Sequence, residues 1–123
     1  MPHTIERIQQ DKVISVSYTG GLTLTERMAA VNEVCDMLTD DVNVLMLIDV
    51  RQVENKMSTK EQEFFGEYLA NKPEFKRAKI AVLSKPDHNP NTIINNTAYL
   101  NGYHIVPFTC RSEAIYWLEG SLL

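Results

Sequence analysis

With 123 residues, 44% of them hydrophobic and 23% charged, the chain is long enough to bury one core and too short for two, so a single domain over residues 1–123 is expected. That apolar share is too high for a disordered chain. A formal net charge of -4 at pH 7 offers no long-range attraction to a polyanion, which argues against nucleic acid as a partner.

At the start, Met1-Pro2-His3-Thr4 lacks the basic segment and apolar stretch of an export signal. Thr4 to Ile8 and Lys12 to Tyr18 read as strands. In the second, Ile14, Val16 and Tyr18 share one face, while Ser15 and Ser17 share the other, which is expected to meet solvent. The short Gln9-Gln10-Asp11 link suits an antiparallel hairpin, because a parallel pair needs a longer crossover. Gly20-Gly21 is expected to break the second strand. Thr23-Leu24-Thr25-Glu26 then forms a capping box, and the helix it opens runs to about Leu38 with Met28, Val31, Val34, Cys35 and Leu38 on one stripe.

Val44 to Ile48 is apolar on both faces and ends in Asp49, the pattern of a central strand covered by helices on each side. It is also the longest unbroken apolar run and far too short to cross a bilayer, so a cytoplasmic protein without a membrane span is expected. Ser58-Thr59-Lys60-Glu61 is a second capping box, opening a helix with Phe64, Phe65, Tyr68 and Leu69 that stops before Pro73. These aromatics read as core rather than as a cofactor box. Lys72, Lys76, Arg77, Lys79 and Lys85 follow, as solvated charge that complements the helix dipole.

Lys79 to Ser84 is a short buried strand, and the polar loop Pro86 to Pro90 leads into a helix with Ile93, Ile94, Ala98 and Leu100 that Gly102 closes. Asn95-Asn96-Thr97, formally a glycosylation sequon, is expected to be a chance match, since no export is expected. His104 to Phe108 is the last strand, placed at an edge by Pro107, and Ser112 to Leu118 is a final helix packing Ala114, Ile115, Trp117 and Leu118. Cys35 and Cys110 have no metal-ligand spacing and read as reduced, small core residues, so neither a metal nor another cofactor is implied. The order ββαβαβαβα predicts an α/β fold, a mixed sheet that opens on a hairpin and continues in βαβ units with right-handed crossovers.

In such sheets ligands bind beyond the carboxyl ends of the parallel strands. That rule nominates Asp49, Arg51 and Ser58 after the central strand, then Ser84, Asp87 and His88, then Thr109, Cys110 and Arg111 after the last, all expected to converge on one edge. From these, Asp49, Arg51, Ser58, His88 and Arg111 are the candidate residues for a ligand or partner. Arg51 could pair with Asp49 or with a bound anion. A catalytic set would need His88 as base, Asp87 or Asp49 to orient it, and Ser84 or Cys110 as nucleophile. No nucleophile elbow, phosphate-binding glycine loop or metal-binding His/Glu spacing accompanies them, so no catalytic residue is assigned.

Leu47-Ile48-Asp49-Val50-Arg51-Gln52-Val53 through Met57-Ser58-Thr59 resembles the STAS superfamily, the domains of sulfate transporters and anti-sigma factor antagonists. More closely, Gly21-Leu22-Thr23, Ile48-Asp49-Val50-Arg51, Ala81-Val82-Leu83 and Phe108 followed by Glu113 to Leu118 make nearly the whole chain similar to bacterial SpoIIAA-like, STAS/SEC14-type proteins. The resemblance implies a non-enzymatic interaction or ligand-binding domain; with Arg51 as an anion candidate, the expectation is an apolar or anionic small molecule or a protein partner held at the loops beyond the parallel strand ends. The wider SpoIIAA-like and SEC14-like group also implies an apolar or amphipathic small molecule held between sheet and helices. In the regulatory antagonists of this superfamily a serine in an Asp-Ser-Ser-Gly stretch is phosphorylated. Ser58 matches that serine, but Met57-Ser58-Thr59-Lys60 lacks the aspartate and glycine, and a plain N-cap accounts for Ser58 without phosphorylation. Phospho-regulated partner switching is the alternative reading and a small hydrolase the third. Exposed strand edges add a two-fold homodimer to the expectations.

Overall fold

The computed structural model describes residues 3–38, 44–75 and 77–120. Alternating apolar residues form β1 (His3–Ile8) and β2 (Val13–Leu22), which pair antiparallel with His3 opposite Tyr18 and Ile8 opposite Val13. Their connection is tight because Gln9, Gln10 and Asp11 all take left-handed φ of 52, 57 and 66°. The Lys12 amide closes it by donating to the Gln9 carbonyl at 3.1 Å. The expected hairpin is present.

From there the chain alternates α1 (Leu24–Met37), β3 (Leu45–Asn55), α2 (Thr59–Ala70), β4 (Lys79–Leu83), α3 (Thr92–Leu100), β5 (His104–Phe108) and α4 (Arg111–Gly120), with a 3-10 turn at Pro73–Phe75. The five strands lie in the order β1-β2-β3-β4-β5, and every pair after the hairpin is parallel. A sheet that grows by one strand per crossover, with every crossover of one hand, puts all three crossover helices on the same face. Helices α1, α2 and α3 accordingly cover the face carrying Ile14, Val16, Tyr18, Met46, Ile48, Val50, Ile80, Val82 and Ile105. On the opposite face, among the described residues, α4 packs Ala114 and Leu118 against Val13, Leu47, Ala81 and Leu83. Each fully buried side chain of this size is worth about 1.5–3 kcal/mol.

Both predicted capping boxes form. Thr23 Oγ1 accepts from the Glu26 amide at 3.3 Å while Glu26 Oε1 accepts from the Thr23 amide at 3.0 Å, and Ser58 and Glu61 repeat the exchange at 3.1 and 2.9 Å. Helices α2 and α3 pack closely at Gly66, where a Cβ would stand 2.6 Å from Thr97 Cβ.

Several local expectations are corrected. Gly20-Gly21 does not end β2, because Gly20 at φ 77° lets the strand run on to Leu22 beside an equally extended β3. β3 in turn does not stop at Asp49 but continues to Asn55. The Ser15 face of β2 is not solvated: Ser15 is buried, and Val13 lies under α4. Phe64 and Leu100 point outward, 50% and 82% exposed, since α2 and α3 each have only one face toward the sheet. Cys110 is exposed, because it precedes α4 rather than sitting on its packed face.

Candidate functional site

The register of β3 explains what becomes of Asp49 and Arg51. Between the pairs Ser17↔Asp49 and Thr19↔Gln52, β2 advances by two residues and β3 by three, so β3 carries a bulge. A bulge takes a backbone N–H out of the ladder. Asp49 supplies the replacement, its Oδ1 accepting from the Arg51 amide at 3.0 Å, and the Arg51 guanidinium then closes on the same carboxylate at 3.1 and 2.9 Å. Burial is the largest single influence on Asp49 and pushes its pKa up, but the bonds from Arg51 and the charges of Arg51 and Arg111 outweigh it and hold the carboxyl below its ordinary range.

Asp49 and Arg51 are therefore paired, and Arg111, the first residue of α4, is near enough for its charge to act on Asp49. Ser58 does not join them, since it caps α2, which packs on the other face of the sheet. His88 stands exposed in the loop after β4, its amide bonded to the Lys85 carbonyl at 3.2 Å. The expected convergence on one edge is incomplete because Asp49 is level with Leu83, the end of β4, while β3 runs on to Asn55. The loop that carries Ser58 is thus carried past the others.

Among the described residues no hydrogen bond joins His88 or Asp87 to Ser84 or Cys110. Ser84 is buried, its amide donating to the Phe108 carbonyl at 3.0 Å. The Cys110 thiol lies 3.1 Å from Ser112 Oγ, and that bond, with the Glu113 amide at the start of α4, lowers its pKa. No group of His, Cys, Asp and Glu among the described residues is arranged to hold a metal ion, and no described helix is long and apolar enough to cross a membrane.

A different polar cluster lies inside, under α1, α2 and α3. Arg27, on α1, is only 3% exposed, and its guanidinium sits 4.5 Å from the centre of the Tyr18 ring and 4.9 Å from that of Phe65. Its Nη2 donates to Asn91 Oδ1 at 2.8 Å, and Asn91 Nδ2 donates to Asn95 Oδ1 at 2.5 Å. Arg27 Nε and Asn95 Nδ2 are buried without a partner. Burial lowers the pKa of Arg27 and raises that of Tyr18, each partly offset by the other, so the phenol stays neutral.

The end of β3 positions this cluster. Asn55 Nδ2 donates to the Pro90 carbonyl at 2.9 Å and Asn55 Oδ1 accepts from the Met57 amide at 2.9 Å, which ties the start of α3 to the strand. Asn91 stands at the N-cap of α3 yet makes no side-chain cap. Its amide group is turned inward to Arg27 instead. Beside Arg27 and Asn91 is a cavity of about 30 Å³, otherwise walled by apolar side chains that include Val16, Val31, Val34, Ile48, Val82 and Ile105. A groove between α3 and β5, lined by Asn95 and Tyr99 among others, shares Ile105 with it.

No protein-family model matches the chain, and no functionally curated protein does either. Among solved structures, it superposes on an uncharacterized protein of the DUF3478 family with a SpoIIAA-like fold from Shewanella loihica PV-4. The TM-score is 0.63 over 94% of this chain and 91% of that one, at 19% identity. This chain has a SpoIIAA-like fold.

Within this SpoIIAA-like sheet the interior cluster was not among the residues that sequence reasoning selected. One signal for it is present. Arg27 lies four residues before Val31 and seven before Val34, squarely on the apolar stripe of α1, where a charge has to find a buried partner. Asn91 and Asn95, one helical turn apart, carry no comparable signal. Nothing along the chain connects them to α1.

Proposed function

We propose that this SpoIIAA-like chain is a non-catalytic binding domain that holds a small molecule in its interior, between the sheet and α1, α2 and α3. The observation that carries the reading is Arg27, a buried guanidinium beside an apolar cavity, with its Nε unpartnered and no carboxylate bonded to it among the described residues. A buried charge without a counter-ion costs several kcal/mol even after the protein relaxes around it. The Tyr18 and Phe65 rings and Asn91 offset part of that cost, and a bound acceptor on Nε would offset more. The absence of any hydrogen-bonded nucleophile and base among Ser84, Asp87, His88 and Cys110 favours binding over turnover.

The test is a titration of isotope-labelled protein with straight-chain carboxylates, alcohols and amines of two to six carbons, following the methyl resonances of Val31, Val34 and Val82. At least one class is expected to shift these buried methyls saturably. If all three classes leave them unmoved while surface resonances shift, the interior is not a binding site.

A further inference from the structure

We infer that the interior ligand is a small monoanion of carboxylate type, its charged group on Arg27 and its apolar body among the surrounding valines. This rests on the interior site proposed above and names its ligand class. Arginine has donors and no acceptor, so it fixes the direction of every bond that follows. Asn91 must turn Oδ1 to the guanidinium, at 2.8 Å, which leaves its Nδ2 facing α3. Asn95 must then present Oδ1 to that Nδ2, at 2.5 Å, which leaves its own Nδ2 over. The amide orientations follow from this chain of donation.

The two unpartnered atoms of the cluster, Arg27 Nε and Asn95 Nδ2, are consequently both donors. Only an acceptor can satisfy them. A bound alcohol would supply acceptor lone pairs but no counter-charge, and an amine, protonated at neutral pH, would supply neither. Among the described residues the only group whose charge acts on Arg27 is the Tyr18 phenol, and burial keeps that phenol protonated. The missing charge has to come from the ligand. A void of about 30 Å³ admits only the head of such a ligand, so its chain enters as the surrounding side chains give way, which favours a short one.

The experiment compares butanoate, 1-butanol and butylamine, read on the Arg27 Nε–Hε resonance and on the Val31 and Val82 methyls. Butanoate is expected to shift both sets and to bind at least about tenfold more tightly than 1-butanol, the margin that a charge-assisted hydrogen bond adds over a neutral one. Arg27→Met should remove this preference. Asn95→Asp, which places a negative charge inside the cluster, should weaken butanoate about tenfold or more relative to 1-butanol; it distinguishes the same two outcomes if Arg27→Met does not fold. Binding of 1-butanol or butylamine as tight as that of butanoate would overturn the anionic ligand and keep the interior site. Valine methyls unmoved by all three probes would remove the site and this inference together.

Discussion

Asp49 accepts three hydrogen bonds from Arg51, one from its backbone N–H and two from its guanidinium. Two residues apart, they would fall on the same face of any regular strand. What makes the triple contact possible is the bulge between Asp49 and Gln52, which frees the Arg51 amide from the ladder. Arg51, which the sequence offers either to Asp49 or to a bound anion, is thus paired with Asp49 and serves the backbone of β3. That service lets β3 reach Asn55 and hold Pro90, and through it the start of α3.

Asp49→Ala should destabilise the fold by about 1–3 kcal/mol, the cost of leaving a partly buried amide and guanidinium without their acceptor. Because the folded pKa of Asp49 lies below the unfolded one, its contribution is complete above about pH 4 and is lost as pH falls through the folded value. Urea midpoints of wild type and variant should therefore differ at pH 7 and converge in acid. A difference that stays constant down to the acid transition would contradict this role.

Gly66→Ala sets two effects against each other. Alanine is better than glycine in a helix by about 1 kcal/mol, but its Cβ would lie 2.6 Å from Thr97 Cβ and 3.0 Å from the Ile94 carbonyl oxygen. Neither neighbour is the loose end of a flexible side chain, so overpacking at about 1–3 kcal/mol wins. The melting temperature is expected to fall. A rise would mean that α2 and α3 separate easily.

For Ser58, the hydroxyl accepts the Glu61 amide at 3.1 Å. Ser58→Ala should cost about 1 kcal/mol, while Ser58→Asp should be nearly neutral, since aspartate caps as well and its charge suits the helix dipole. Chemical denaturation of both variants measures the two costs. An aspartate variant that is stable yet changes association with a partner in pull-downs would favour the phospho-regulated alternative.

The two cysteines should react at different rates. Cys110 is exposed with its pKa lowered by Ser112 and the Glu113 amide, whereas burial and then the charge of Glu74 raise that of the half-buried Cys35. Iodoacetamide at neutral pH should modify Cys110 at least about tenfold faster, since the thiolate is the reactive form. Ser112→Ala should narrow the gap by slowing Cys110. Peptide mapping over a time course gives both rates, and equal rates would show that the contact with Ser112 is not kept in solution.

Element order, both capped helix starts, the hairpin and the edge position of β5 could be read from the sequence alone, because each depends on residues within one or two turns of chain. Helical and strand periodicity, a threonine or serine three residues before a glutamate, and a proline in a strand act locally and need no knowledge of what packs where. The extent of β2 and β3 was not legible in that way. Whether Gly20-Gly21 ends a strand depends on whether another strand runs alongside, and here β3 does.

The interior cluster belonged, apart from the placement of Arg27 on its helix, to the tertiary structure. Arg27 lies 64 residues from Asn91, and only the stacking of α1 and α3 on one face of the sheet closes that distance to a 2.8 Å hydrogen bond. The charge on the apolar stripe of α1 is written in the sequence; its burial, its partners and the unpartnered donor it leaves arise only when three helices cover the same face. Hydrogen-bond satisfaction of a buried group is a property of its packed surroundings, so no local pattern could encode it.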